Sequence, residues 1–350
     1  MASASAGTFT TTQRPDTAET AYGSNRDGVV WIYWLSPEVA PREIDAEHAS
    51  QWVINPPENN SFLWLHFSLS NSASLRWLRS HTELPDAFYE SLRENVVSTR
   101  LEQQDNGLLA TLLDLQFNSQ PDSSSISSVT LYVGPRMLVS ARLRPLRSVD
   151  RLRARVRSGT TFQSSAELLA QLLREQAGVL ADILRESTGK VDAIEDHLLM
   201  DRVSASRRDL GELRRLLVRL QRLLAPEPAS LFRLLSRPPA WLRDEDAQDL
   251  RQAAEEFATA IGDSSALAER VKLLQEELSA LVTEQTNRTL FVLTLVTVLA
   301  LPVNMVAGLL GMNVGGIPFA TSHHGFSVVV SLLAACTALV TWLLWRRFNR

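Results

Sequence analysis

The stretch Thr289–Trp345 contains no Asp, Glu, Lys or Arg. Inside it, Thr289–Leu310 and Phe326–Trp345 are apolar runs of 22 and 20 residues, each matching the roughly 20 helical residues that cross a hydrocarbon core. One such run is compatible with a buried core helix. Two in tandem, joined by the short linker Gly311–Gly325, describe a membrane hairpin. All 35 basic and 39 acidic residues lie outside it, so the mean hydropathy of -0.05 averages two unlike parts. The net charge of -4 gives no reason to expect nucleic acid as a partner. A single cysteine excludes an intrachain disulfide and a four-cysteine zinc site.

Arg288 flanks the first run, and Arg346, Arg347 and Arg350 flank the second, whereas the linker has neither Lys nor Arg. Basic residues favour the cytoplasmic side, which predicts both chain ends inside and the linker outside. Residues 1–25 are rich in Ala, Ser and Thr and lack the apolar core of about 7–15 residues that a secretory leader needs. They read as a disordered tail, and 346–350 as a basic cytoplasmic one.

Between tail and hairpin the pattern changes twice. Val29–Leu35 and Phe62–Leu69 are short aromatic and β-branched runs, the signature of buried strands. Ser98–Gln103, Gly107–Asn118, Ile126–Val133 and Met137–Arg142 are strand-like as well, with turn chemistry at Asp105-Asn106-Gly107 and Gly134-Pro135. Ala46–Val53, Leu75–His81 and Pro85–Leu92 read as helices. An α/β domain with a mixed sheet is expected over 26–145. A helical region and stalk follow over 146–288, where leucines recur at spacings of three and four. Leu210, Leu213, Leu217, Leu220 and Leu224 form one helix face with Arg208, Arg215, Arg219 and Arg222 on others, a solvated amphipathic helix ended by Pro226 and Pro228. From Asp244-Glu245-Asp246 no proline occurs until Pro302. A helix over this span is roughly 100 Å long, more than a compact domain holds. Leu267, Val271, Leu274, Leu278 and Leu281 give it a packing stripe.

The polar residues of the first span (289–311) are ordered. Counting back from Gly308 by alternating four and three gives Asn304, Leu301, Thr297, Thr294, Leu290, Asn287 and Thr283. Thr294, Thr297 and Asn304 are every Thr and Asn strictly inside the apolar run. Polar groups in hydrocarbon are costly, so this face meets a partner helix or water, and periodicity alone leaves both open.

At the end of that span Gly308–Pro318 (GLLGMNVGGIP) carries the tripeptide Gly311-Met312-Asn313. Its place on the first of two terminal spans, after a long proline-free helix and before a basic tail, resembles the CorA superfamily of divalent-metal transporters. The Val-Gly-Gly-Ile-Pro continuation is similar to the zinc-associated ZntB branch. The resemblance implies a CorA-like funnel: a homopentamer in the bacterial inner membrane, each subunit with a cytoplasmic α/β domain, a long stalk helix and two transmembrane helices. It implies that Asn313, with Met312 and Gly311, forms the selective mouth of the external loop 312–325. Asn287, Thr294, Thr297, Leu301 and Asn304 would line the pore, and Leu290, Leu293 or Leu301 would form a hydrophobic constriction. The second span, 326–345, would form an outer ring.

No resident cofactor is expected; the ion is cargo. The resemblance points to Zn²⁺, with Mg²⁺ as the alternative and Co²⁺, Ni²⁺ and Cd²⁺ as further candidates. Zn²⁺ prefers nitrogen and sulfur ligands, and this lining has neither, so an ion passes at least partly hydrated. His323 and His324 are the nitrogen ligands of the external linker, either a capture site or an ordinary polar loop. Eleven acids against three bases over 244–284 read equally as a cation vestibule, a metal sensor or a solvated stalk face. A membrane-anchored coiled-coil scaffold is the reading of another class. No enzyme motif is complete: Thr188-Gly189-Lys190 lacks the flanking residues of a phosphate loop. The orientation has a direct check. A cysteine at Ser322 in a Cys336→Ala background is expected to react with a membrane-impermeant thiol reagent in intact cells. Protection there, with labelling of an N-terminal cysteine, would reverse it.

Overall fold

The computed structural model describes residues 23–348 except 26, 58, 94–98, 105, 118–125, 200–202 and 313–323. Of the tail expected over 1–25, residues 1–22 lie outside them. The elements, in chain order, are β1 (Val29–Leu35), β2 (Arg42–Glu43), α1 (Ala46–Ile54), β3 (Phe62–Ser68), α2 (Ala73–His81), α3 (Asp86–Arg93), β4 (Arg100–Gln104), β5 (Gly107–Leu115), β6 (Ile126–Gly134), β7 (Met137–Arg142), α4 (Arg147–Arg157), α5 (Ser165–Leu199), α6 (Val203–Leu224), α7 (Pro226–Leu235), α8 (Asp244–Leu310) and α9 (Gly325–Phe348). They fall into two units, Met1–Leu274 and Gln275–Arg350.

The first unit is built on one seven-stranded sheet, ordered β2-β1-β3-β7-β6-β5-β4. It is mixed, as the sequence predicts. β3 and β7 run parallel from Leu63↔Met137 to Ser68↔Arg142, and the remaining pairs are antiparallel. Side chains alternate between the two faces along each strand. Trp31, Phe62, Trp64, Leu108, Leu131 and Leu138 belong to a core shared with α4, α5, α7 and the first turns of α8. Ile32, Leu63, Leu65, Phe67, Leu109 and Val139 belong to a second core shared with Ala49 of α1, Trp77 and Leu78 of α2, and Phe88 and Tyr89 of α3. Because helices cover both faces, every residue of β3 and β5 is buried. That is why these strands read as continuous rather than alternating apolar runs. Gly28 enters β1 with φ +79°, and a Cβ there would lie 1.9 Å from Ser74 Oγ, so only glycine fits.

Three elements depart from the sequence reading. β2 is a two-residue edge strand, exposed and charged, paired with β1 through Tyr33↔Glu43 and Trp34↔Arg42. Pro226 does follow the end of α6, but it opens another helix: it is the first residue of α7, where its missing N–H has no partner to lose. The stalk stripe is buried at Leu267, Val271, Leu274 and Leu278, whereas Leu281 is 41% exposed. Within one chain, burial along the stripe ends at Leu278.

A buried polar cluster ties β3 to β7. His66 is fully buried, and its Nε2 accepts from Arg142 Nε at 2.8 Å. Its Nδ1–H therefore donates to Ser140 Oγ at 2.7 Å, and Trp64 Nε1 donates to the same hydroxyl at 2.9 Å. Burial, with the Arg142 charge second, holds the imidazole well below its usual pKa, so it is neutral. The two-layered packing predicts a contrast. Leu65→Ala, at a 0% exposed position, is expected to lower stability by about 2–5 kcal/mol. Ile54→Ala, at a 73% exposed one, is expected to stay within about 0.5 kcal/mol. Chemical denaturation of the full chain in detergent measures both; equal effects would contradict the layer assignment.

Candidate ion pathway

α8 is one helix of 67 residues that continues through Pro302 to Leu310. Proline has no N–H, so the Val298 carbonyl, four residues earlier, loses its amide partner. α9 is apolar and also long enough to span a membrane. Within the second unit the residues of α8 least open to solvent between 289 and 310 are Leu295, Leu299 and Val306. On α9 their counterparts are Val329, Leu333, Thr337 and Val340. A groove lined by Leu299 of α8 and by Ala334, Thr337, Ala338, Thr341 and Trp342 of α9 marks where the two helices lie side by side.

At about 100° per residue, the line Leu295–Leu299–Val306 is roughly half a turn from the line Asn287–Leu290–Thr294–Thr297–Leu301–Asn304–Gly308. The polar stripe is therefore on the side of α8 turned away from α9, and all seven of its residues are exposed. A seam between the two spans of one chain does not explain it. Leu290, Leu293 and Leu301 are 54%, 62% and 64% exposed. Leu293 is one residue before Thr294 and falls outside the stripe. The α8 positions that meet α9 were not singled out in the sequence, although the wholly apolar 295–299–306 line carries the signal.

The stripe hydroxyls are oriented. Thr294 Oγ1 donates to the Leu290 carbonyl at 2.8 Å and Thr297 Oγ1 to the Leu293 carbonyl at 2.9 Å. With the proton used on the helix itself, each oxygen presents only lone pairs outward. Such a group accepts hydrogen bonds or faces a cation. Lower on the same line, Thr283 Oγ1 donates to the Ser279 carbonyl in the same way, at 2.8 Å.

α8 ends at a turn in which Gly311 N donates to the Ala307 carbonyl at 2.9 Å. A Cβ on Gly311 would stand 3.1 Å from that oxygen, a tight fit that favours glycine. Met312 follows, 52% exposed. Asn313 and His323 lie outside the described residues. His324 is exposed, and its carbonyl accepts from Val328 N at 3.1 Å in the first turn of α9. The acidic stretch divides. Asp246 is buried and accepts from Arg243 and from Ser164 Oγ. Asp249 pairs with Arg174, and Glu269 with Lys272 at 2.8 Å. Asp246 and Asp249 thus tie α8 to the segment around Ser164 and to α5, Glu269 pairs within its own helix, and Glu276, Glu277 and Glu284 are exposed. Among the described residues no group of three or more His, Cys, Asp or Glu could hold a metal ion.

An α/β domain whose last helix extends into an apolar segment, followed by a second apolar helix, defines a two-span membrane protein with an uncharged polar stripe on its first span. The family model described as CorA-like Mg²⁺ transporter protein matches residues 59–347, and the chain belongs to this family. It is thereby a divalent-cation transporter. The divalent cation transporter CmaX of Pseudomonas aeruginosa is 28% identical over 332 residues, 94% of this chain and 99% of that one. The zinc transport protein ZntB of Yersinia enterocolitica is 26% identical over 281 residues, 80% of this chain and 86% of that one. The structure of full-length CmaX superposes with a TM-score of 0.77 at 27% identity, covering 93% and 99% of the two chains. The face assignment on α8 predicts a cross-linking pattern. In a Cys336→Ala background, cysteines at Leu299 and Ala338 are expected to be joined by a short bifunctional thiol reagent, and cysteines at Thr297 and Ala338 are not. The reverse pattern would put α9 on the polar stripe.

Proposed function

We propose that the chain moves divalent cations, with Zn²⁺ preferred, through a pore on the axis of a homopentamer whose lining is the polar stripe of α8. One observation carries this reading: the row of Asn and Thr side chains is exposed on the side of α8 away from α9. In hydrocarbon such a row needs a partner, and five copies facing one another around water supply it. Both termini are taken to be cytoplasmic, by the arginine asymmetry.

The lining sets the mechanism. It is uncharged and offers oxygen acceptors, not nitrogen or sulfur. Threonine oxygens with their protons turned to the helix accept hydrogen bonds from the water of a hydrated ion. Mg²⁺ gives up its water reluctantly, and Zn²⁺ finds no soft ligand to replace it; either passes with much of its shell. Attraction comes from elsewhere. Each C-terminal helix end carries about half a negative charge, and five copies of α8 end around the mouth. Asn313 there adds a ring of side-chain amide oxygens, and Leu290, Leu293 or Leu301 narrows the path by an apolar ring. His323 and His324 gather Zn²⁺ at low concentration.

Zinc is supported by Val314-Gly315-Gly316-Ile317-Pro318 and by the resemblance to ZntB. Magnesium is the second reading, favoured by the description of the family model. Uptake of Zn²⁺ and Mg²⁺ into proteoliposomes separates them: the proposal expects Zn²⁺ flux to exceed Mg²⁺ flux, and the opposite order transfers the assignment to magnesium. In the same assay Asn313→Leu, which keeps the volume and removes the amide, is expected to lower flux about tenfold or more, the rate equivalent of ~1.4 kcal/mol. Normal flux in that variant would leave Gly311-Met312-Asn313 as a structural corner only.

A further inference from the structure

Glu227, the second residue of α7, is 1% exposed, and neither of its carboxyl oxygens has a hydrogen-bond partner. Beside it lie the backbone of Leu113, the side chains of Gln176 and Thr99, and the carboxyl of Asp114. Two of these neighbours carry orphaned atoms as well, Gln176 Oε1 and Thr99 Oγ1. The amide nitrogen of Gln176 is already used, donating to the Leu113 carbonyl at 3.0 Å. All four unpartnered atoms are oxygens, and all four are closed to solvent.

Asp114, 2% exposed, has the opposite surroundings. Its carboxylate accepts from Leu115 N at 2.7 Å, from Ser148 N at 2.8 Å and from Ser148 Oγ at 2.6 Å. Ser148 lies in the first turn of α4, where the helix dipole favours an anion. Burial still pushes Asp114 up to about 6, which leaves it ionised at neutral pH. Two buried carboxyl groups thus sit in environments that drive their protonation apart. Asp114 accepts three short hydrogen bonds, whereas around Glu227 the polar groups of Leu113, Gln176 and Thr99 favour the charged form less than burial and the Asp114 charge oppose it.

We propose that Glu227 is a proton-binding site of the α/β domain, held as the neutral acid while α7 is docked. Its O–H donates to Gln176 Oε1, and the Thr99 hydroxyl donates to its second oxygen. The added proton serves one Glu227 oxygen and Gln176 Oε1, and the Thr99 hydroxyl's own proton serves the other two.

The charges on the packed elements do not replace that proton. β5 contributes Asp114, whose negative charge opposes ionisation of Glu227. β4 contributes Arg100 and Glu102, paired at 2.8 Å. α5 contributes Glu175, paired with Arg155 of α4 at 2.8 Å. α4 also contributes Asp150, which acts on Asp114, and Arg147, whose Nε donates to the Gln116 carbonyl at 3.2 Å. α6 ends with Arg219 and Arg222, and Arg251 of α8 donates to the Leu235 carbonyl at the far end of α7.

Losing the proton leaves a second buried charge beside Asp114. Undocking α7 from β4 and β5 returns Glu227 to water and relieves it. The sign follows from proton linkage. The docked state holds a proton that the undocked state releases above the ordinary glutamate range, so docking weakens as pH rises. Above about pH 7, where Asp114, pushed up to about 6, is ionised in both states, opening of α7 is expected to rise about tenfold per pH unit until the docked state itself loses its proton.

Infrared difference spectroscopy and hydrogen exchange on the full chain in detergent test this. At pH 7 the wild type minus Glu227→Gln difference is expected to show the carbonyl stretch of a neutral carboxylic acid. Amides of α7 and β4, corrected for intrinsic rates, are expected to exchange faster with rising pH in the wild type and to be flat in Glu227→Gln. If that variant does not fold, the pH titration of the wild-type acid band with its α7 exchange decides alone. Absence of the acid band, or exchange independent of pH, overturns the proposal. So does an acid band abolished at constant pH by MgCl₂ or ZnCl₂, which would make the site a cation site.

Discussion

A hydroxyl or amide in hydrocarbon has no water to bond to, and the first span carries a row of them. Most other features of the molecule follow from where that row is turned. Had it faced α9, the hairpin would be a closed pair of helices with polar glue between them. It faces the other way, with the wholly apolar line of Leu295, Leu299 and Val306 toward α9. The hydroxyls of Thr294 and Thr297 are satisfied through their protons by their own helix. What remains outward is acceptor capacity, which suits a hydrated cation and does not suit lipid.

Local periodicity made much of this readable from the chain alone. A helix repeats every 3.6 residues whatever surrounds it, so the stripe from Asn287 to Gly308 is fixed by spacing. Buried strands were equally visible, because β3 and β5 are covered on both faces and concentrate Phe, Trp, Leu and Ile. The misses have physical causes. β2 is two charged residues whose strand character comes only from pairing with Tyr33 and Trp34. α7 was hidden because Pro226 both follows one helix and starts the next. Which side of α8 faces α9 depends on packing between helices, which no spacing within one helix encodes. Of the Gly-Met-Asn corner, Gly311 and Met312 are described and Asn313 is not, so the role of Asn313 rests on resemblance.

The α/β domain holds a second kind of information that sequence does not display. Asp114 and Glu227 are separated by more than a hundred positions, yet they share one buried site, where burial raises the pKa of both and the Asp114 charge adds to the rise at Glu227. His66 is the complementary case, kept neutral by burial next to Arg142. Stability of the domain therefore depends on pH in two senses. Ionising Glu227 weakens it as pH rises, and protonating His66 weakens it as pH falls below the usual histidine range.

The claim on which the account depends is that the polar face of α8, and not the face toward α9, borders the ion's path. Cysteine substitutions along α8, in a Cys336→Ala background, modified by a small cationic thiol reagent during flux measurement, address it directly. Modification at 294, 297, 301 and 304 is predicted to block divalent-cation flux, whereas modification at 295, 299 and 306 leaves it running. Block at 295, 299 and 306 with free passage at 294, 297, 301 and 304 would contradict the account.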